Sequence, residues 1–326
     1  MNRKTLIILA VLVVALLAAW HFTREAEQPQ ALPEAQRWLP ELQPAQVEAI
    51  EVQRVGQPLV RLQRKEQGWV LPAKADYPAN QGQVAGLLKA LGEARKVEPR
   101  TRNPDLYGRL GLAEQGEANQ QAVRLKLERG EATALQLLIG NPGQQDGQLV
   151  RGAGEAQSWL VSQRIELPAT ELDWLDRRVT VVPFSEVKAL QVVHADGKQV
   201  QLFRDKAEEP NLQVRDLPKD GKLAFDGAAD GMARLFADLQ FADAAPLDQL
   251  TFDGKPSLTF SLQTFAGKTL EGRFYTKADQ HWLLLEPGSD LPAAELPGRS
   301  DWAYRVEPYQ YQSLAKKLTD LLAAKS

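Results

Sequence analysis

Three histidines, His21, His194 and His281, are the whole of this chain's supply of side chains that ordinarily titrate near neutral pH. No two stand at a ligand spacing. His-Glu-x-x-His and His-x-His are absent and the cysteine count is zero, so a zinc site lacks its ligands. His194 precedes an Asp196-Gly197 turn and His281 precedes Trp282, and both read as residues of exposed strands. Nucleophilic serine chemistry needs a Gly-x-Ser-x-Gly elbow, and phosphate binding a Gly-x-x-x-x-Gly-Lys-Ser/Thr loop. Neither occurs. Gly152-Ala-Gly154 lacks the third glycine of a dinucleotide loop and falls between two strand patterns, as a hairpin does.

Carboxylates are the remaining source of chemistry. Asp226 and Asp230 flank the expected start of a helix, where acidic groups cap amides and favour the positive end. Calcium would need further oxygen ligands that this loop does not supply. The densest cluster is Glu171-Leu-Asp173-Trp174-Leu-Asp176-Arg177-Arg178. A hydrolase would need two carboxylates facing each other across a cleft, which spacing alone does not establish. Asp173, Trp174, Asp176, Arg177 and Arg178 are therefore expected to form an interface, with no catalytic, cofactor or metal residue assigned. Trp69, Trp159 and Trp282 fall in strand patterns, as core fillers or as binding platforms.

The elements that must position these residues are written twice. Val47-Glu-Ala-Ile50-Glu-Val52 recurs as Val187-Lys-Ala-Leu190-Gln-Val192, and Val60-Arg-Leu62-Gln-Arg64 as Val200-Gln-Leu202-Phe-Arg204. Apolar positions keep their alternation while the charges between them change, the mark of strands with one buried face. Val84, Leu87, Leu88 and Leu91 keep a helical spacing that Met232, Leu235, Phe236 and Leu239 repeat. Val123–Leu127 matches Leu258–Leu262, and Ser158-Trp159-Leu160-Val161 matches His281-Trp282-Leu283-Leu284. Gly56, Gly197, Gly130 and Gly267 stand at the turns between alternating runs, where positive φ is needed. The expectation is an α+β fold with two tandem, duplicated units, each of antiparallel strands with one amphipathic helix.

Ahead of these units, Arg3-Lys4 precedes an apolar run from Leu6 to Ala19, ended by Trp20. With Leu6, Leu9, Leu12, Leu16 and Trp20 it reads as a transmembrane signal anchor, close to the lower limit for a hydrocarbon core of about 30 Å. The positive start stays cytoplasmic and the bulk lies outside. Cleavage after Ala19 is the competing reading. The expected organisation is anchor 1–22, a Pro/Glu/Gln tether 23–40, a first unit 41–178, a second unit 179–306, and a C-terminal amphipathic helix 307–326 carrying Leu314, Leu318, Leu321 and Leu322. With 39 basic and 42 acidic residues interspersed, there is no basic stripe for nucleic acid. The lack of cysteine fits a periplasmic chain held by core packing alone.

Gly68-Trp69-Val-Leu71, the Val84–Leu91 helix, Tyr107-Gly108-Arg-Leu-Gly111-Leu112, Leu138-Ile-Gly140-Asn-Pro142 and Leu172–Arg178 follow one another in an order that resembles the bacterial domain-of-unknown-function 4340 family. The Tyr-Gly-Leu element departs from the usual pattern, with Arg109, Leu110 and Gly111 inserted. The resemblance implies no active-site residue. It implies an inner-membrane, extracytoplasmic accessory protein of the gliding-motility type of ABC transporter, with permease and auxiliary subunits as partners. A glycan- or peptidoglycan-binding module and a hydrolase are the alternatives.

Overall fold

Alternating sequence becomes strand throughout. The computed structural model describes residues 36–130, 132–219 and 221–323. The expected anchor residues Leu6, Leu9, Leu12, Leu16 and Trp20, and the tether up to residue 35, lie outside the described residues. Among the described residues no helix is long and apolar enough to cross a membrane. In chain order the elements begin with β1 (Ala49–Gln53), β2 (Val60–Lys65), β3 (Gly68–Leu71), β4 (Tyr77–Pro78), α1 (Gln81–Glu93) and β5 (Lys96–Pro99). β6 (Val123–Arg129), β7 (Ala132–Pro142), β8 (Gln148–Gly152) and β9 (Ser158–Val161) follow. Next come β10 (Arg178–Thr180), β11 (Val187–His194), β12 (Gln199–Phe203), β13 (Gln213–Val214), α2 (Asp230–Arg234), β14 (Leu239–Gln240) and β15 (Asp243–Pro246). The chain closes with β16 (Leu258–Thr264), β17 (Thr269–Lys277), β18 (Gln280–Leu285), β19 (Trp302–Val306), α3 (Pro308–Leu314) and α4 (Leu318–Leu321).

Contacts gather these elements into two compact units. One holds the described residues 36–59 together with those of Ala85–Leu167, and the other holds Val60–Val84 together with the described residues from Pro168 onward. Within the first, the strands run β1-β6-β7-β8-β9-β5, all antiparallel. Within the second, β13-β12-β11-β16-β17-β18-β19-β15 form one antiparallel sheet. That unit also holds the β2-β3-β4 meander and a β10-β14 pair. The six strands from β1 and the six from β11 therefore follow one order. Register agrees too: Ile50 faces Leu127 and Val52 faces Leu125, as Leu190 faces Leu262 and Val192 faces Phe260. All eight are buried, so each pair lies on its sheet's core face.

The four turn glycines are where the alternation placed them, with φ of +70° at Gly56, +79° at Gly197, +52° at Gly130 and +78° at Gly267. A close approach explains another. A Cβ on Gly140 would lie 2.5 Å from the Leu110 carbonyl oxygen, so the Tyr107–Leu112 loop can lie on β7 only over a glycine. Around that crossing Tyr107, Leu112, Ala122, Leu138, Leu149 and Leu160 form a buried cluster. In the second unit the Tyr77 ring meets Phe241, Trp302 and Tyr304 edge-on, at centroid distances of 5.4, 4.7 and 6.5 Å.

Several expectations are corrected. α1 buries Val84, Leu87, Leu88 and Leu91 as its spacing predicts. Its counterpart does not continue: α2 is five residues long, a 3-10 turn covers Leu235–Ala237, and Leu239 is strand, paired with Thr180. Leu239 stays buried, so its apolar spacing marked a core position and not a helix face. Asp230 does not cap its own helix; its Oδ1 accepts from the Leu212 N–H at 2.8 Å. By strand order β9, with Trp159, is the counterpart of β19, with Trp302, whereas Trp282 lies one strand earlier, in β18. The C-terminal helical spacing is split into α3 and α4, and Leu322 forms an antiparallel bridge with Leu223.

Candidate functional site

The stretch Glu171–Arg178 enters the second unit through a 3-10 turn over Leu172–Trp174. Asp173 closes that turn: its Oδ2 accepts from the Thr170 amide at 3.0 Å and from the Thr170 hydroxyl at 2.7 Å. The backbone is then fastened to residues 78–80. Asn80 N–H donates to the Trp174 carbonyl at 2.8 Å, Asp176 N–H donates to the Pro78 carbonyl at 3.1 Å, and Ala79 bridges Leu175. Asn80 in turn caps α1, its Oδ1 accepting from the Gln83 amide at 3.1 Å. Two polar segments far apart in sequence are thus drawn into one surface.

Trp174, expected at an interface, is fully buried, and its Nε1–H has no partner among the described residues. It is a core residue beneath the site. The four charged residues do converge. Asp173, Asp176, Arg177 and Arg178 line an open groove of about 510 Å³, together with Asn80, Gln83 and Gln240. Arg178 clamps Asp176 through two parallel bonds, Nε to Oδ1 at 2.8 Å and Nη2 to Oδ2 at 2.6 Å. Arg177 is held from below by its Nε, which donates to the Phe241 carbonyl at 2.8 Å.

Electrostatics fix the protonation state of the clamp. Partial burial works to raise the Asp176 carboxyl, but the bonds from Arg178 outweigh it and hold the group below the usual carboxylate range. Arg178 is raised in return, first by its bond to Asp176. Deeper in the unit, burial pushes the Tyr304 phenol up to about 12 and Tyr77 further still. Asp176 is therefore favoured as the carboxylate, bound to Arg178. What the groove presents is an ion pair, a second guanidinium and three amide side chains, a surface rich in hydrogen-bond donors and acceptors.

Asn80, Gln83 and Gln240 went unrecognised as groove residues in the sequence. Asn80 carried the one available signal, a capping residue directly before an apolar helical period. Nothing local marks Gln240, which the β10–β14 pairing brings to the groove. Trp69 and Trp282 are buried and Trp159 is half-buried, with the Lys96 ammonium 4.7 Å from its ring centroid. None of them lines this groove.

A mixed fold of mostly antiparallel sheets, with an open polar groove in its second unit, is the class that the elements and the site define. Comparison with family models then gives a match to a domain of unknown function, DUF4340, over residues 69–249. That is more than half of the chain, and the chain belongs to this family. No curated protein matches it, and no solved structure does.

Proposed function

We propose that this protein is a non-catalytic, membrane-anchored accessory subunit of an ABC-type transport system of the gliding-motility-associated kind. Its bulk lies in the periplasm and its N-terminus in the cytoplasm, and the groove at Asp173–Arg178 helps to hold a partner subunit. The observation that carries this reading is the family match from Trp69 to Gln249, which includes every groove residue. The apolar run after Arg3-Lys4 supports the anchor. The engaged state of Asp173 and Asp176 favours binding over hydrolysis, because each carboxylate is already committed to a neighbour. The common order of the strands from β1 and from β11 supports an origin of both sheets in one duplicated unit. A duplicated scaffold has no need of chemistry to be retained; it supplies two rigid sheets on which surfaces can diverge.

Co-purification from mild detergent is the test. The full-length chain is expected to bring down permease and auxiliary subunits. Replacing residues 1–22 with an unrelated anchor should preserve part of that association. Reversing both charges, Arg177→Glu with Arg178→Glu, should weaken it while the fold persists. A protein that purifies alone in every mild detergent, and turns over a glycan or peptide at a rate lost in Asp173→Asn or Asp176→Asn, sinks this reading in favour of a hydrolase.

A further inference from the structure

The first unit contains a buried cation beneath an open pocket. Arg151, on β8, has a side chain only 6% exposed. Its guanidinium lies 4.3 Å from the centroid of the Tyr107 ring, and Tyr107 is itself fixed by its hydroxyl, which donates to the Ala156 carbonyl at 2.5 Å. Nη1 donates to the Glu155 carbonyl at 2.8 Å, and Nη2 donates to Glu114 Oε1 at 2.8 Å and to the Leu112 carbonyl at 3.5 Å. Nε has no partner among the described residues. Above this group opens a pocket of about 510 Å³, lined among others by Tyr107, Glu114, Gln115, Arg151, Gly154 and Glu155.

A guanidinium is costly to bury unless an anion compensates it. Glu114 provides that anion, yet it is the least fixed part of the arrangement. Its side chain is 40% exposed, and its other oxygen, Oε2, already lies 3.7 Å from Nη2 of Arg124, whose side chain is 53% exposed. The Glu114 carboxylate thus has a second cation beside it and a short path to reach it. Arg151 has no such freedom, being held by two carbonyls and a ring. The fork geometry of guanidinium matches a planar carboxylate, the group that Glu114 already supplies there.

We propose that this pocket binds a carboxylate-bearing ligand, whose carboxylate replaces Glu114 on Nη2 of Arg151 while Glu114 moves onto Arg124. The exchange leaves one anion on the buried guanidinium before and after, so no charge is stranded. Gly154, at the rim, takes a φ of +81° that glycine adopts without steric cost. Tyr107 belongs to the Tyr-Gly-Leu element, and neither it nor Arg151 takes part in the groove of the second unit. The pocket stands independently of the transporter reading.

The test is calorimetry on the full-length chain in mild detergent, with three probes: acetate, N-acetyl-dialanine as the free acid, and the same peptide as its C-terminal amide. The free acid is expected to bind and the amide not to bind. Binding of acetate as well assigns the site to small acids, and binding of the peptide acid alone assigns it to chain termini. Glu114→Gln removes the internal competitor and should tighten binding by about tenfold, the scale of one charge-assisted hydrogen bond. Arg151→Lys should abolish binding. Since that variant can fail through misfolding, Glu114→Gln decides: with the folded state's circular-dichroism spectrum retained at the temperature of the titration, absent or weakened binding overturns the proposal. Equal binding of acid and amide overturns it as well.

Discussion

At the scale of single residues, two members of the Glu171–Arg178 cluster that were both expected at an interface have opposite fates. Trp174 is swallowed by the core, and Asp176 stays at the surface in a clamp. Trp174→Ala should therefore lower stability by about 3–5 kcal/mol, the cost of emptying a buried aromatic site, and urea melts would measure it. A surface anchor would lose partner affinity and little stability. Asp176 makes a pH-dependent contribution. Its folded pKa lies below the unfolded value of about 3.9, so the stabilisation is complete above that value and is lost as pH falls through the lower folded one. Asp176→Asn should accordingly be less stable than the wild type near neutral pH, and the gap should close in melts taken in acid.

At the scale of elements, burial and backbone angle matter more than the label helix or strand. Leu91 in α1 and Leu239 in β14 are both buried, and each Leu→Ala change should cost about 2–5 kcal/mol although only one lies on a helix. Gly56 and Gly197 occupy equivalent turns at nearly equal φ, with open space around each missing Cβ. Gly56→Ala and Gly197→Ala should each cost about 1 kcal/mol from backbone strain alone. The double variant should lose the sum, because each added methyl enters open space and each cost is local to its own turn. A large excess over the sum in chemical denaturation would contradict this assignment.

For the whole molecule, the compact units do not follow chain order. Residues 60–84 group with the chain beyond Pro168, and Tyr77 shows why: its buried ring rests on Phe241, Trp302 and Tyr304. A fragment cut after Arg178 would leave that ring without Phe241, Trp302 and Tyr304 to cover it. We expect residues 36–178 alone to lack cooperative unfolding, while the chain from 36 onward keeps it. Calorimetric scans of the two would decide the matter.

Sequence alone determined the strands, because alternation with period two records directly which face is buried. It determined the turns at Gly56, Gly130, Gly197 and Gly267, because positive φ is a local demand that glycine meets at no steric cost. It also showed Val123–Leu127 and Leu258–Leu262 as copies of one strand, whereas the pairing of β6 with β1 and of β16 with β11 was decided by the folded sheets. The family was legible for the same reason, from motifs that are themselves local. Helix lengths in the second half were not, since the apolar spacing at Met232–Leu239 is satisfied equally by a short helix, a 3-10 turn and a strand over one core. Nor were the groove and the Arg151 pocket, whose residues lie far apart in sequence. Hydrogen bonds such as Asn80 to Trp174, and the seating of Arg151 over Tyr107, exist only once the chain has closed on itself, and tertiary structure alone decided them.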